Sequence, residues 1–277
     1  MDLFDKVGKF TIAKEAMASG IYPYFQPLSD SEGTTATFNG REVIMIGSNN
    51  YLGMTTHPKV RQAAKEAIDQ FGTSCTGSRF LNGTLNLHLE LDRRLAEFVG
   101  MEAAIVFPTG YQTNVGTIAS LVGKGDYVVI DKDAHACIVD GALMARGEMR
   151  RFVHNDLDSL DRVLSKIPAE AGKLVVVDGV YSMGGDIAPL PQIVEICKKH
   201  GARIMVDDAH GVGVLGKGRG TAAHFDLVDE IDIMMGTFSK SFASVGGFIA
   251  GKADVIHYVQ HTARTLIFSA SLPAANV

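Results

Sequence analysis

Along most of this chain, short apolar runs alternate with longer stretches whose apolar positions recur about every 3.6 residues. The runs at 103–107 (AAIVF), 127–130 (YVVI), 173–178 (KLVVVD), 203–207 (RIMVD), 231–236 (IDIMMG) and 246–251 (GGFIAG) predict strands. The stretches at 58–71, 86–99, 111–122, 135–146, 157–167 and 189–200 predict the helices between them. Strands this apolar leave no polar face for water, so the alternation predicts a three-layer α/β/α fold around a mostly parallel sheet. Residues 1–45, with Pro23, Pro27 and the SDSEG turn at 29–33, read as an N-terminal helix and arm outside that sheet. Residues 46–277 read as one large α/β domain. Near the end, Ser271 and Pro273 resemble a helix cap and an early helical position with little chain after them, so the sequence is expected to be a piece of a longer protein, its C-terminal small domain lying beyond.

Composition narrows the class. The chain has 277 residues, 46% hydrophobic and 21% charged, ample for a packed core. Its 26 basic and 31 acidic residues give a net charge of -5, which argues against a nucleic-acid partner. Cys75, Cys137 and Cys197 are far apart and make neither a zinc pattern nor a disulfide framework, so no metal is expected and a reducing cytoplasm suits the chain. Asp2 and Asp5 stand where a signal peptide would be basic, and no window reaches about 18 uninterrupted apolar residues, so no integral membrane segment is expected.

Parallel sheets bind ligands beyond the carboxyl ends of their strands, so polar residues just after an apolar run carry weight. Asp207 and His210 follow RIMVD, and Lys240 follows IDIMMGTF between Ser239 and Ser241. Alone, Asp207 would read as a helix cap and Lys240 as a surface lysine. Together they match what pyridoxal 5'-phosphate (PLP) needs: an amine to hold its aldehyde covalently, and a carboxylate to keep its ring nitrogen protonated. A lysine desolvated behind that apolar run has a lowered pKa, suited to act as nucleophile and base. Thr237 and Ser239 supply hydroxyls for a phosphate. In FPTGYQTNVG (107–116) the amides of Gly110 and Tyr111 would open a helix toward the same anion, although a simple turn with a Thr cap explains this segment equally well. His135 follows YVVI, where a flat ring could stack on a cofactor, and Ser182 in DGVYSMGGD could bond the cofactor's phenolic oxygen. Gly211, Gly213 and Gly216 match a dinucleotide fingerprint, and GVGVLGK nearly matches a phosphate-binding loop. No helix can begin in GKGRG and Gly218 replaces the magnesium-binding hydroxyl, so both are set aside as a flexible loop.

The motifs GSNNYLG (47–53), TGSRFLNGTLNLHLELD (76–92), PTGYQTN, DAHACIVDG, GVYSMGGDIAPL (179–190), VDDAHGVGVLGKGRG, GTFSKS and IFSASLP (267–273) run in order along nearly the whole chain. In these the sequence resembles the α-oxoamine synthase family of fold-type I PLP enzymes, whose large domain is aspartate aminotransferase-like. The resemblance implies a decarboxylative condensation of an amino acid with an acyl-CoA, and a homodimer with its site at the subunit interface. It implies Lys240 as the covalent link and base, Asp207 on the ring nitrogen, and His210 and Ser182 near the phenolic oxygen. His135 would stack on the ring, and Gly110, Tyr111, Thr237 and Ser239 would hold the phosphate, with Ser269 reaching in from a second subunit. Asn50 would line the substrate side. The wording of GSRFLNGT, GVYSMGGDIAPL and TFSKS resembles the subgroup that joins L-serine to a long-chain acyl-CoA, giving a 3-ketosphinganine-type aminoketone. Glycine C-acetyltransferase and 8-amino-7-oxononanoate synthase are the alternatives inside the family, and a non-catalytic PLP-fold partner subunit is the alternative outside enzymology.

Overall fold

A computed structural model describes residues 2–277 and divides the chain into two units, one ending at Gly47 and one running from Ser48 to Val277. The first unit holds two short helices, α1 (Asp5–Gly8) and α2 (Ile12–Ala18), followed by an antiparallel sheet of β1 (Asp30–Glu32), β2 (Thr35–Phe38) and β3 (Arg41–Ile44). The expected helix and arm is therefore partly a sheet. Its β2–β3 hairpin turns on Asn39 and Gly40, both with positive φ, which is the pairing that matches strand twist in a two-residue turn.

In the second unit, α3 (Pro58–Phe71) and α4 (Asn86–Val99) precede β4 (Ala103–Phe107). Then follow α5 (Gly110–Leu121), β5 (Tyr127–Asp131), α6 (Ala136–Met144), β6 (Glu148–Phe152), α7 (Leu157–Leu164), β7 (Lys173–Asp178), α8 (Leu190–His200) and β8 (Arg203–Asp207). The unit ends with α9 (Thr221–His224), β9 (Ile233–Thr237), β10 (Gly247–Gly251), α10 (Ala253–Thr262) and α11 (Arg264–Ile267). Among the described residues the larger sheet has seven strands in the order β4-β10-β9-β8-β7-β5-β6. Its strands pair in parallel except β10, which is antiparallel to both β4 and β9.

Both faces are covered because successive side chains of each strand point to opposite sides. Val175 and Val177 of β7 pack into a core with Leu95, Leu160 and Ile193 from α4, α7 and α8. Their neighbours Leu174 and Val176 pack into a second core with Ile118, Ile138 and Val259 from α5, α6 and α10. Close packing leaves no slack between β9 and β10: a Cβ on Gly236 would lie 2.4 Å from the ring of its register partner Phe248. Ile130, fully buried on β5, tests this packing. Ile130→Val should lower stability by about 1 kcal/mol, read as an earlier urea midpoint at unchanged slope.

Two elements of this unit depart from the apolar pattern. The strand β6 reads EMRRF and escapes it because it lies at the sheet edge, where charged residues are tolerated and protect against pairing with other chains. The helix α10 buries little more than Ile256 and Val259, too short a stripe to stand out. The glycine-rich segment 211–220 opens no dinucleotide-type helix, yet it is no loose loop. Val212 and Arg219 bridge, and the Arg219 guanidinium donates to the carbonyls of Phe98 and Val99 at 3.2 and 3.3 Å.

Candidate active site

Parallel pairing brings the carboxyl ends of β5, β7, β8 and β9 to one edge of the sheet, and each ends in a polar residue: Asp131, Asp178, Asp207 and Thr237. Asp178 and Asp207 are register partners on adjacent strands, and both are buried. The turn after β4 starts α5 at the same edge. Thr109 caps this helix by accepting from the Gln112 amide at 3.1 Å, leaving the first turn, Gly110 and Tyr111, facing a cavity of about 260 Å3. Gly110 is needed there for space, since a Cβ would lie 2.7 Å from the Thr237 hydroxyl.

Lys240, Asp207, His210, His135, Gly110, Tyr111, Thr237 and Ser239 all line this one cavity. Asp207 is fixed by two donors, the Asn114 side-chain amide at 2.6 Å and the Ala209 backbone at 3.0 Å. The Lys240 amine stands 2.8 Å from His210 Nε2, and the Tyr51 hydroxyl lies 2.6 Å from His210 Nδ1. His135 caps α6, its Nδ1 accepting from the Cys137 amide at 3.2 Å, which leaves Nε2 as the protonated nitrogen of the neutral ring. The hydroxyls of Thr237 and Ser239 are 3.1 Å apart.

Three predicted residues lie elsewhere. Ser182 is on the wall of an adjoining cleft of about 420 Å3, which it shares with Tyr51, Gly213 and His210, so His210 is the partition between cleft and cavity. Ser269 accepts from Gln112 Nε2 of its own chain at 3.0 Å and does not line the cavity. Asn50 lines neither space and donates to Thr55 Oγ1 at 2.8 Å. Conversely, Asn114, Cys137, Asp178 and Tyr51 join the site without having been singled out. Two of these had a signal: Asn114 is one helical turn beyond Gly110, and Asp178 ends its strand as Asp207 does.

Burial sets the electrostatics. It lowers the Lys240 ammonium below the ordinary lysine value, against the opposing pull of Asp207 and Asp178. His210 falls to about 4, through burial first and then the nearby Lys240, so its ring is neutral at pH 7. The Cys137 thiol is pushed up to about 12 by burial and by Asp207, which makes it inert as a nucleophile. Asp178 is pushed up to about 8 by burial and then by the charge of Asp207. A carboxyl that binds its proton more tightly folded than unfolded contributes most to stability below its unfolded value near 3.9, and that contribution declines as pH rises toward 8. The wild-type apoprotein should therefore lose stability relative to Asp178→Asn as pH rises from 5 to 8, read as the difference between their thermal melts.

The donor set suits a rigid molecule that is anionic at one end, basic at the other and carries a carbonyl between. The α5 amides with Thr237 and Ser239 offer the anion site, Asp207 offers a carboxylate to a protonated ring nitrogen, and Lys240 offers a desolvated amine. PLP has these features. Asn114, whose Nδ2 holds Asp207, keeps its Oδ1 buried without a protein hydrogen-bond partner. Among the described residues no cluster could hold a metal, and no helix is long and apolar enough to cross a membrane.

Known proteins share this fold. The family model "Aminotransferase class I and II" matches residues 41–277. Serine palmitoyltransferase of Sphingobacterium spiritivorum is 48% identical over 276 residues, covering 99% of this chain and 69% of that protein. The 8-amino-7-oxononanoate synthase of Geobacter sulfurreducens is 46% identical over 257 residues, covering 92% and 66%. Among solved structures, serine palmitoyltransferase of Sphingomonas wittichii superposes with a TM-score of 0.96 at 46% identity, and that of S. paucimobilis with bound PLP and myriocin with 0.96 at 43%. Both cover all of this chain, which spans 70% of each. With the family model matching most of its length and close relatives on the same fold, the chain belongs to the aminotransferase class I and II family, alongside the bacterial serine palmitoyltransferases.

Proposed function

We propose that this chain carries the PLP site of an acyltransferase that condenses L-serine with a long-chain acyl-CoA, releasing CoA and carbon dioxide and giving a 3-ketosphinganine-type aminoketone. The observation that carries the reading is the convergence of Lys240, Asp207, His210, His135 and the α5 amino terminus on one cavity. When bound, PLP supplies an electron-poor ring that stabilises negative charge at the α-carbon of an attached amino acid.

The chain's own residues do the rest. Asp207, held by Asn114 and Ala209, would accept from the ring nitrogen and keep it charged. Burial lowers the Lys240 pKa, so its Nζ can bind the aldehyde and afterwards remove and return a proton at the substrate α-carbon. Neutral His210 orients Lys240 and offers a hydrogen bond to the phenolic oxygen, with Ser182 beside it in the cleft. His135 would stack on the ring and offer Nε2–H toward the substrate, since its Nδ1 is occupied by the cap. Gly110, Tyr111, Thr237 and Ser239 bind the phosphate. Asn50 stays a substrate-side residue in this reading, acting next to Tyr51.

The reading includes a homodimer, in which Ser269 would exchange its Gln112 bond for a contact in the second subunit. It also includes a cytoplasmic location and a PLP-binding domain over residues 46–277, near the unit boundary after Gly47. The near-equal identity to the Geobacter sulfurreducens synthase supports a second reading, in which another amino acid or acyl chain is used. A silent partner subunit is disfavoured by Lys240, which such a subunit would not need. Spectral titration of the PLP-loaded protein with serine, glycine and alanine, followed by assays with short and long acyl-CoAs, tests the proposal. A response to serine with turnover of long chains is expected. A response to alanine or glycine instead would move the enzyme to another branch of the family.

A further inference from the structure

Beside the cofactor cavity, and outside its lining, a histidine stands between two carboxylates. His154, just past β6, places Nδ1 3.0 Å from Asp131 Oδ1 and Nε2 2.9 Å from Asp186 Oδ2. Ionised carboxylate oxygens only accept, so both ring nitrogens must donate, and the ring is an imidazolium. The need for charge is clear at Asp131, which is fully buried at the end of β5 and among the described residues pairs with no other cationic group. Asp131 also accepts from the Tyr181 hydroxyl at 3.0 Å and from the Asn155 and Asp133 amides at 3.1 and 2.8 Å, so it is a rigid anchor.

Asp186 is different, half exposed and on the loop between β7 and α8. That loop, residues 179–187, carries Tyr181, Ser182 and Gly185 onto the wall of the cleft beside His210. Within it the Tyr181 amide donates to the Asp186 carbonyl at 3.0 Å and the Gly185 amide to the Tyr181 carbonyl at 2.8 Å. The base of the loop is held by the buried Tyr181 and the Val180–Ile187 bridge, but its tip is solvated, with Met183 98% exposed, and Asp186 accepts there from Asn155 Nδ2 at 2.5 Å as well as from His154. The ring of His154 also meets Tyr181 edge-on at 4.5 Å.

We propose that His154 is a positioning residue: as an imidazolium it ties the loop carboxylate of Asp186 to the buried carboxylate of Asp131, and so fixes Ser182 and the cleft wall next to His210. The exchange behaviour of the loop follows from the contacts alone, whereas the kinetic consequence rests on the proposed function. The groups facing the ring are Asp131 from β5 and Asp186 and Tyr181 from the loop, while Asp156, at the start of α7, is occupied capping Ser159 at 2.8 Å. Burial pulls the His154 pKa down, but the two carboxylates outweigh it and leave it above the ordinary value. A raised histidine pKa contributes fully below its unfolded value near 6.5 and is lost as pH climbs through the folded value, so the clamp opens toward alkaline pH.

The test is amide hydrogen exchange of the PLP-loaded protein, with Asp186→Ala as the main variant because its side chain is half exposed, and His154→Gln as the second. Exchange at residues 180–187 should accelerate about tenfold in Asp186→Ala while the β-sheet amides stay protected. The pH dependence of loop protection expected of the wild type should disappear. The covalent absorption band should persist, and KM for the amino acid should rise several-fold with a smaller change in kcat. Unchanged loop exchange in both variants would overturn the clamp, and faster loop exchange with KM unmoved would overturn its role in positioning Ser182 and the cleft wall. A wild type that takes up no PLP would sink the enzymatic reading instead, and the exchange data would still decide whether the clamp exists.

Discussion

Lys240→Ala should abolish both the visible absorption of covalently bound cofactor and turnover, with activity lowered by at least about 10^3-fold. Two roles are lost together. The amine that captures the aldehyde is gone, and so is the base at the substrate α-carbon. Two neighbours are poor substitutes: His210, 2.8 Å away, has its pKa lowered to about 4, and Cys137 keeps its proton up to about 12. The other lining residues are untouched, so PLP should still bind non-covalently and be detectable by dialysis and fluorescence. Retained turnover in this variant would remove the basis of the proposed chemistry.

Asp207→Asn should separate the electronic role from the covalent one. The amide keeps the shape, but it cannot supply the negative charge that holds a ring nitrogen protonated. Turnover should fall by about 10^2- to 10^3-fold, the size expected when one member of a buried charge pair is neutralised, while the covalent absorption band persists because Lys240 is intact. Asp178 should respond as well. The charge of Asp207 helps hold its carboxyl up to about 8, so in the variant Asp178 should titrate at lower pH, which is measurable by carboxyl-selective NMR or by the melting profile. A variant with unaltered turnover would show that Asp207 does not face the ring.

The parts of this site legible along the chain are those that sit at strand ends. Asp207, His135 and Lys240 follow apolar runs, and the parallel sheet needs those runs to end at a common edge. Elements with a full two-sided or amphipathic pattern were legible to the residue, as at Ala103–Phe107, Pro58–Phe71 and Asn86–Val99. Elements that break the pattern were not. The strand Glu148–Phe152 is charged because it lies at an edge, and the hairpin at Asn39–Gly40 belongs to strands with almost no buried face.

Contacts between distant segments could not be read in the same way. Asn114 and Asp207 are 93 positions apart, and His154 and Asp186 are 32 apart, on elements whose adjacency depends on strand order. Ser182 shows the limit from the other side: the sequence puts it at a strand end, but β7 stops at Asp178 and the turn at 182–184 carries Ser182 to the cleft and not into the cavity.

Taken alone, the order of residues determined the layer architecture, the strand ends and the chemical types gathered there, because burial periodicity and reactive groups are local properties of a chain. Which of those groups meet, which carboxyl keeps its proton and which histidine is charged were decided only by the folded molecule. Those outcomes depend on desolvation and on distances of a few ångströms across neighbouring strands, which exist only once the sheet is assembled.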